Sequence, residues 1–200
     1  MSIPELLQMT LTGINLGVMY ALIAVGLTLI FGVMRIIQYA HGEMYMLGAF
    51  VLYYWTEKFA MPYWLGILAS FIVIFALGAV LQIVLFRPLQ GKNILNSLAV
   101  SLGLVFIISS TGQIFFGTTV KGIDSVVTGG LVFGGVYFSY ERLMITVVAT
   151  IIIFSLWVFL KKTKMGTAIR AVSEDPDAAA LQGIRTQRIH WLAFGLGSGL

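Results

Sequence analysis

The chain has 200 residues, of which 59% are hydrophobic and only 10% charged, against the roughly 25% charged share of an ordinary soluble domain. A water-soluble fold could not bury that much apolar surface, and the absence of cysteine excludes disulfide frameworks, thiolate metal sites and thiol nucleophiles. The net charge of +4 does not point to nucleic acid, because half of the 12 basic residues (Lys161, Lys162, Lys164, Arg170, Arg185 and Arg188) sit in one loop beside apolar stretches, as on a cytoplasmic membrane face.

Residues 6–34 carry no charge and exceed the ~18 to 20 residues a helix needs to cross a ~30 Å hydrocarbon core. They lack a basic n-region and are far longer than a signal-peptide core, so the stretch reads as a retained helix. Residues 44–56 are too short alone, but they span if the helix begins near Ile36 and carries Gln38, His41 and Glu43 into the membrane. Residues 64–86, 93–120 and 143–160 are three further uncharged spans. Between the last two lies a glycine-punctuated apolar segment, 128–138, that predicts a hairpin or a short interfacial helix with Tyr137, Phe138 and Tyr140 at headgroup depth. A last apolar stretch begins at Ile189 and is cut off by the end of the chain.

The expected fold is therefore an all-α polytopic membrane bundle of about five complete transmembrane helices plus a truncated sixth, forming a single domain over 1–200. Alternate loops differ in charge. One set holds Arg35, Arg87, Lys92, Lys161, Lys162, Lys164, Arg170, Arg185 and Arg188, and the other only Lys58, Lys121 and Arg142. This contrast places loop 161–188 in the cytoplasm and the N-terminus outside a cell membrane. Gly13/Gly17 and Gly195/Gly199 are small residues one turn apart, the spacing at which helix backbones approach closely in lipid.

Polar residues inside spans carry the chemistry. On a helix, Gln38, His41 and Tyr45 share one face, with Tyr39 and Glu43 on a neighbouring one. Ionisable groups at membrane depth cost at least ~2.5 kcal/mol, so this wedge faces protein or water. It either lines a translocation path or pairs locally near the interface and fixes the helix. Asn15 and Gln82 are further intramembrane candidates, for a path or for interhelical hydrogen bonds. Too few ionisable residues lie in the spans for a proton relay, no constellation suits an enzyme, and His41 and His190 are too isolated to predict a metal site. In loop 161–188, Ser173 is placed to cap a helix, Glu174 and Asp175 to favour its first turn, and Pro176 to start it. A short alanine-rich helix follows over 177–182, ended by Gly183. Its small side chains suit a groove on a partner, or it is a plain surface helix.

Two segments carry a family resemblance. GLTLIFGVMRIIQYAHGEMYMLGA over 26–49 closely resembles the signature of permease subunits of branched-chain amino acid ABC importers, and GTAIRAVSEDPDAAALQGI over 166–184 resembles that family's cytoplasmic loop. The resemblance covers essentially the whole chain. It implies a transporter of two permease subunits, two ATPase subunits and an extracytoplasmic substrate-binding protein, with no cofactor or ATP bound by this chain, which has no Gly-x-x-x-x-Gly-Lys-Ser/Thr loop. It assigns ATPase coupling to Glu174, Asp177, Ala178, Ala179, Ala180, Leu181 and Gly183. It places Gln38, Tyr39, His41, Glu43 and Tyr45 in the core near the substrate pathway, to which Asn15 is added from its own position within a span. A related permease for urea or short amides and a non-transporting membrane scaffold are the alternatives. Such permeases continue through further helices, so a chain stopping at Leu200 is expected to be a fragment or a truncated product.

Overall fold

A computed structural model describes residues 3–124, 127–133 and 136–200. Helix α1 (Ile3–Met34) runs 32 residues, about 48 Å at 1.5 Å per residue, and stops where Arg35 takes a left-handed backbone, φ 53°. Residues 35–38 are not helical, and α2 (His41–Tyr53) begins only after a turn at Tyr39 and Ala40. The helix expected from Ile36 thus starts five residues later. The chain breaks because Arg35 reverses it and because Ile36, Gln38 and Ala40 all turn inward. A π-helical turn, Tyr54–Lys58, follows.

Helix α3 (Tyr63–Leu81) passes into a π-helical segment, Gln82–Phe86, and a 3-10 turn, Arg87–Leu89, where Pro88 ends regular helix. Helix α4 (Ile94–Phe116) is capped by Asn93, whose side chain accepts from the Leu95 N–H at 3.1 Å. Strands β1 (Gly130–Phe133) and β2 (Val136–Ser139) pair antiparallel with Gly130 opposite Ser139. The segment expected as a hairpin or interfacial helix is this pair; residues 134 and 135 between the strands lie outside the described residues. Helix α5 (Tyr140–Lys162) follows at once. The basic loop is largely helical. Thr163 caps α6 (Lys164–Glu174), and Asp175 caps α7 (Pro176–Leu181) by accepting from the Asp177 and Ala178 N–H groups. Ser173 instead donates back to the Arg170 carbonyl inside α6, so the cap falls two residues later than the sequence suggests. Helix α8 (Thr186–Gly199) completes the chain.

Among the described residues, four stretches are long and apolar enough to cross a membrane: Ile3–Met34, Tyr63–Leu89, Ile94–Phe116 and Tyr140–Lys162. The protein is therefore an all-α membrane protein, to which the described residues add one two-stranded sheet, while α2 and α8, at 13 and 14 residues, are shorter than a full crossing. Many bulky apolar side chains on the long helices are exposed, among them Phe106, Ile114, Phe115 and Phe154. That distribution suits a lipid solvent, where the hydrophobic effect does not drive helices together and close packing must do so.

Close packing is concentrated on α8, which lies against α3 and α1. A Cβ on Gly197 would stand 2.6 Å from the Gly26 carbonyl oxygen of α1, and one on Gly195 2.9 Å from the Phe75 carbonyl oxygen of α3. Gly199 meets the Phe71 ring in the same way. Gly13 and Gly17, by contrast, have nothing within 4 Å, so among the described residues the C-terminal pair makes the close contact and the N-terminal pair does not.

The two ends of the bundle are distinct. At one, β2 docks on α1 through Gln8, whose amide donates to the Tyr137 carbonyl and accepts from its N–H at 2.8 and 2.9 Å. At the other, the last turns of α1 meet α6, α7 and the start of α8 in a core of Leu29, Val33, Ile169, Val172, Ala179 and Ile189. Gln90 ties that end together, bonded to His190 Nδ1 at 2.9 Å and to Gln187 at 3.1 Å.

Because a Cβ on Gly26 would fall on the backbone of α8, Gly26→Ala is expected to cost about 1–3 kcal/mol, read as a lowered thermal midpoint in detergent. Gly13→Ala, in open space, should change stability by less than about 0.5 kcal/mol.

Candidate translocation site and coupling face

The break at 35–40 exists at membrane depth because other helices bury it. His41 lies beside Gly26, eight residues before the end of α1: a Cβ there would meet the imidazole at 3.3 Å. The chain has thus returned about 12 Å along α1, at 1.5 Å per residue, before α2 begins. Irregular backbone in hydrocarbon is tolerated only where protein or a water-lined cavity satisfies its polar groups. Here the Ser101 hydroxyl of α4 does so, accepting from the N–H of Tyr39 at 2.5 Å and of Ala40 at 3.3 Å. Around the break, Ile36, Ala40, Ile30, Phe86, Leu104 and Phe194 form a second core, with the Phe86 and Phe194 rings 5.1 Å apart.

Two amides are sealed into the interior. Gln38 is 2% exposed and Gln82 1%, and none of their side-chain nitrogen or oxygen atoms has a hydrogen-bond partner among the described residues. His41 Nδ1 and Ser198 Oγ are orphaned as well. Unpaired buried polar groups each cost about 1–3 kcal/mol, so their retention calls for a function. Gln82 opens the π-helical segment of α3, a distortion frequent at functional sites.

The remaining sequence-derived candidates separate. His41 and Tyr45, one turn apart on α2, both line a partly open cavity of about 590 Å³ bordered by α1, α2, α3, α5 and the end of α8. Gln38 precedes the helix and joins the buried break instead. Tyr39 exposes its phenol, and Glu43 is half-buried. Asn15 is fully engaged between helices, its amide donating to the Arg142 carbonyl at 2.9 Å and to Thr146 Oγ1 at 2.6 Å, which fastens α1 to α5. Ser101 and Ser198 were not singled out by the sequence: a serine in an uncharged span leaves no periodic signal.

The coupling face divides too. Glu174, Asp177, Ala178, Ala180 and Gly183 are exposed, and Leu181 is 88% exposed, whereas Ala179 is buried in the core beneath α7. Gly183, at φ 80°, closes α7 in a left-handed turn that side-chain-bearing residues resist.

A bundle of lipid-facing helices with a broken helix at its centre, a cavity beside the break and a compact helical pair at the basic end defines a multi-pass membrane permease. The chain matches the model of the branched-chain amino acid transport system permease component over residues 9–200, and it belongs to that family. It is 33% identical over 207 residues to the high-affinity branched-chain amino acid transport system permease protein BraD of Pseudomonas aeruginosa, covering 97% of this chain and 67% of that protein. It is 29% identical to the corresponding LivH protein of Escherichia coli K12 over the same shares. The probable LivH protein of Methanocaldococcus jannaschii is 27% identical over 192 residues, 90% of this chain and 59% of that protein. No solved structure matches the chain.

Removing the hydroxyl that satisfies the break should expose its cost. Ser101→Ala is expected to lose about 1–3 kcal/mol in a denaturant titration of the purified protein, and Ser101→Thr, which keeps the hydroxyl, to lose less.

Proposed function

We propose that this chain is the membrane-spanning permease subunit of an ATP-driven importer that moves branched-chain amino acids inward, with α6 and α7 docking on an ATPase subunit. The branched-chain amino acid transport for which the relatives are named supports the substrate class. The observation that carries the coupling role is the architecture of the basic end. Two short helices are locked to α1 and α8 through Ile169, Val172 and Ala179, and they turn Leu181 almost wholly outward. An exposed leucine on a six-residue helix offers an aliphatic anchor for a groove on a partner. Glu174, Asp177, Ala178 and Ala180 form its polar and small-residue surround. Ala179 seats the helix from beneath, and Gly183 allows the chain to turn into α8.

The same reading sets the topology. The nine basic residues of one loop set face the cytoplasm, and the N-terminus and the β1–β2 pair face outward. Helix α2 with its π-helical turn supplies about 25 Å of helix, which with the extended residues 35–40 makes a fifth crossing, and α8 forms part of a sixth. A second permease subunit, the ATPase subunits and an extracytoplasmic binding protein complete the importer. Within this chain the pathway follows the broken segment, with Gln38, His41 and Tyr45 nearest it, Tyr39 and Glu43 on the adjoining face of α2, and Asn15 holding the α1–α5 wall.

Leu181→Asp should leave this subunit folded, because the side chain is almost wholly exposed. It should reduce leucine uptake and substrate-stimulated ATP hydrolysis by about tenfold, the loss of one interface anchor. Unchanged uptake and ATPase stimulation in membrane vesicles would remove the coupling role.

A further inference from the structure

At the end of the bundle opposite α7 is a second, smaller cavity of about 270 Å³, and its chemistry differs sharply from that of the large one. It lies among α2, α3, α5 and the segment after α4, and it gathers one cation, Lys121, and two carboxylates, Asp124 and Glu141, with Tyr53 and Tyr63. Lys121 is held in place. Its Nζ donates to Tyr54 Oη at 3.2 Å and stands 5.2 and 5.1 Å from the Tyr53 and Tyr54 ring centres. An ammonium has three donors, so that bond leaves others to point into the cavity.

The two cavities share a wall. Ala49 and Tyr63 line both. Beyond them the large cavity is lined mostly by aliphatic and aromatic side chains, Leu22, Ile23, Leu52, Ile67, Phe71 and Ile152 among them, and at about 590 Å³ it falls within the ~300–1,000 Å³ of small-molecule sites. A polar chamber carrying both signs of charge therefore abuts an apolar one, with a small residue and a tyrosine at the join.

We propose that the smaller cavity is an entry site for the zwitterionic end of an amino acid, which it holds while the apolar side chain points past Ala49 into the large cavity. Lys121 takes the α-carboxylate through charge-assisted hydrogen bonds. Asp124 takes the α-ammonium, and Glu141 in the same lining adds negative charge beside it. The apolar chamber accepts a branched aliphatic side chain and penalises a charged one, which would be desolvated without a partner. The mixed charges match a zwitterion better than a simple anion or cation, and the site lies at the end that the charge bias assigns to the outside, where a delivered substrate first meets this chain. The inference rests on the permease reading and deepens it, since it names the groups that recognise the amino acid backbone.

Photo-leucine, the diazirine analogue of leucine, tests it in membrane vesicles containing the whole transporter. After illumination, peptide mapping should find label on the residues at the join, Ala49 or Tyr63. Excess leucine should suppress that label. 4-Methylpentanoate, which lacks the amine, and isoamylamine, which lacks the carboxylate, should not. Lys121→Gln should weaken protection by leucine about tenfold, the loss of one hydrogen bond to a charged group, while Lys121→Arg should keep it. Radiolabelled leucine uptake, measured in the same vesicles, separates the two levels of the account. Uptake with no label at the join, with equal protection by all three competitors, or with Lys121→Gln protected like the parent overturns the entry site and leaves the permease reading intact. Absence of leucine uptake in vesicles of the unsubstituted transporter overturns that reading and the entry site with it.

Discussion

A peptide group inside hydrocarbon must find a hydrogen-bond partner within the protein, and the architecture of this chain turns on one place where a helix cannot provide it. Residues 35–40 leave α1, run back alongside it and start α2 near the depth of Gly26. In lipid, that backbone would be prohibitively costly. It is stable because the Ser101 hydroxyl takes two of its N–H groups and because α1, α3, α4 and α8 enclose it. The close approach of α8 depends in turn on Gly195, Gly197 and Gly199, which let its backbone reach α1 and α3. A side chain at those glycines would open the shell around the break.

The same packing joins the two ends of the molecule. Leu29 and Val33 of α1 and Ala193 of α8 belong to the core under α6 and α7, while the adjacent Ile30 and Phe194 belong to the core around the break. A displacement of α7 by a partner is thus two packed layers from residues 35–40. Spatial continuity of this kind becomes coupling when both sites bias one bistable element. The broken segment is the natural element, because discontinuous membrane helices recur where transporters hold substrates.

Much of this was legible in the sequence, and for identifiable reasons. The four long spans stand out because lipid-facing helices need no polar face, so their apolar runs are unbroken. The segregation of basic residues to one end follows from loop charge alone. Pro176 and Gly183 mark the two ends of α7 because helix starts and left-handed turns have strong residue preferences, whereas the cap expected at Ser173 falls on Asp175. The break was missed: Ile36 to Tyr45 has a helical spacing of polar residues, and nothing local reveals that Arg35 takes a positive φ or that a serine 61 to 62 positions away caps the chain. Helix α6 was read as loop because its apolar positions, Ile169 and Val172, acquire meaning only against α1. The placement of Asn15 against α5 is likewise a tertiary fact.

These 200 residues contain no cysteine, so a cysteine placed among them is the only thiol they contribute, and the unsubstituted transporter gives the background. The direct measurement is the reaction rate of cysteines placed at Gln38, His41 and Gly13 with a small water-soluble methanethiosulfonate, in vesicles of the whole transporter with and without ATP. If the broken segment borders the substrate path, positions 38 and 41 react at a rate that changes with ATP turnover, and position 13, on the open face of α1, stays inert. Cysteines at 38 and 41 that are unreactive in every state, or no more reactive than the one at 13, would contradict the account.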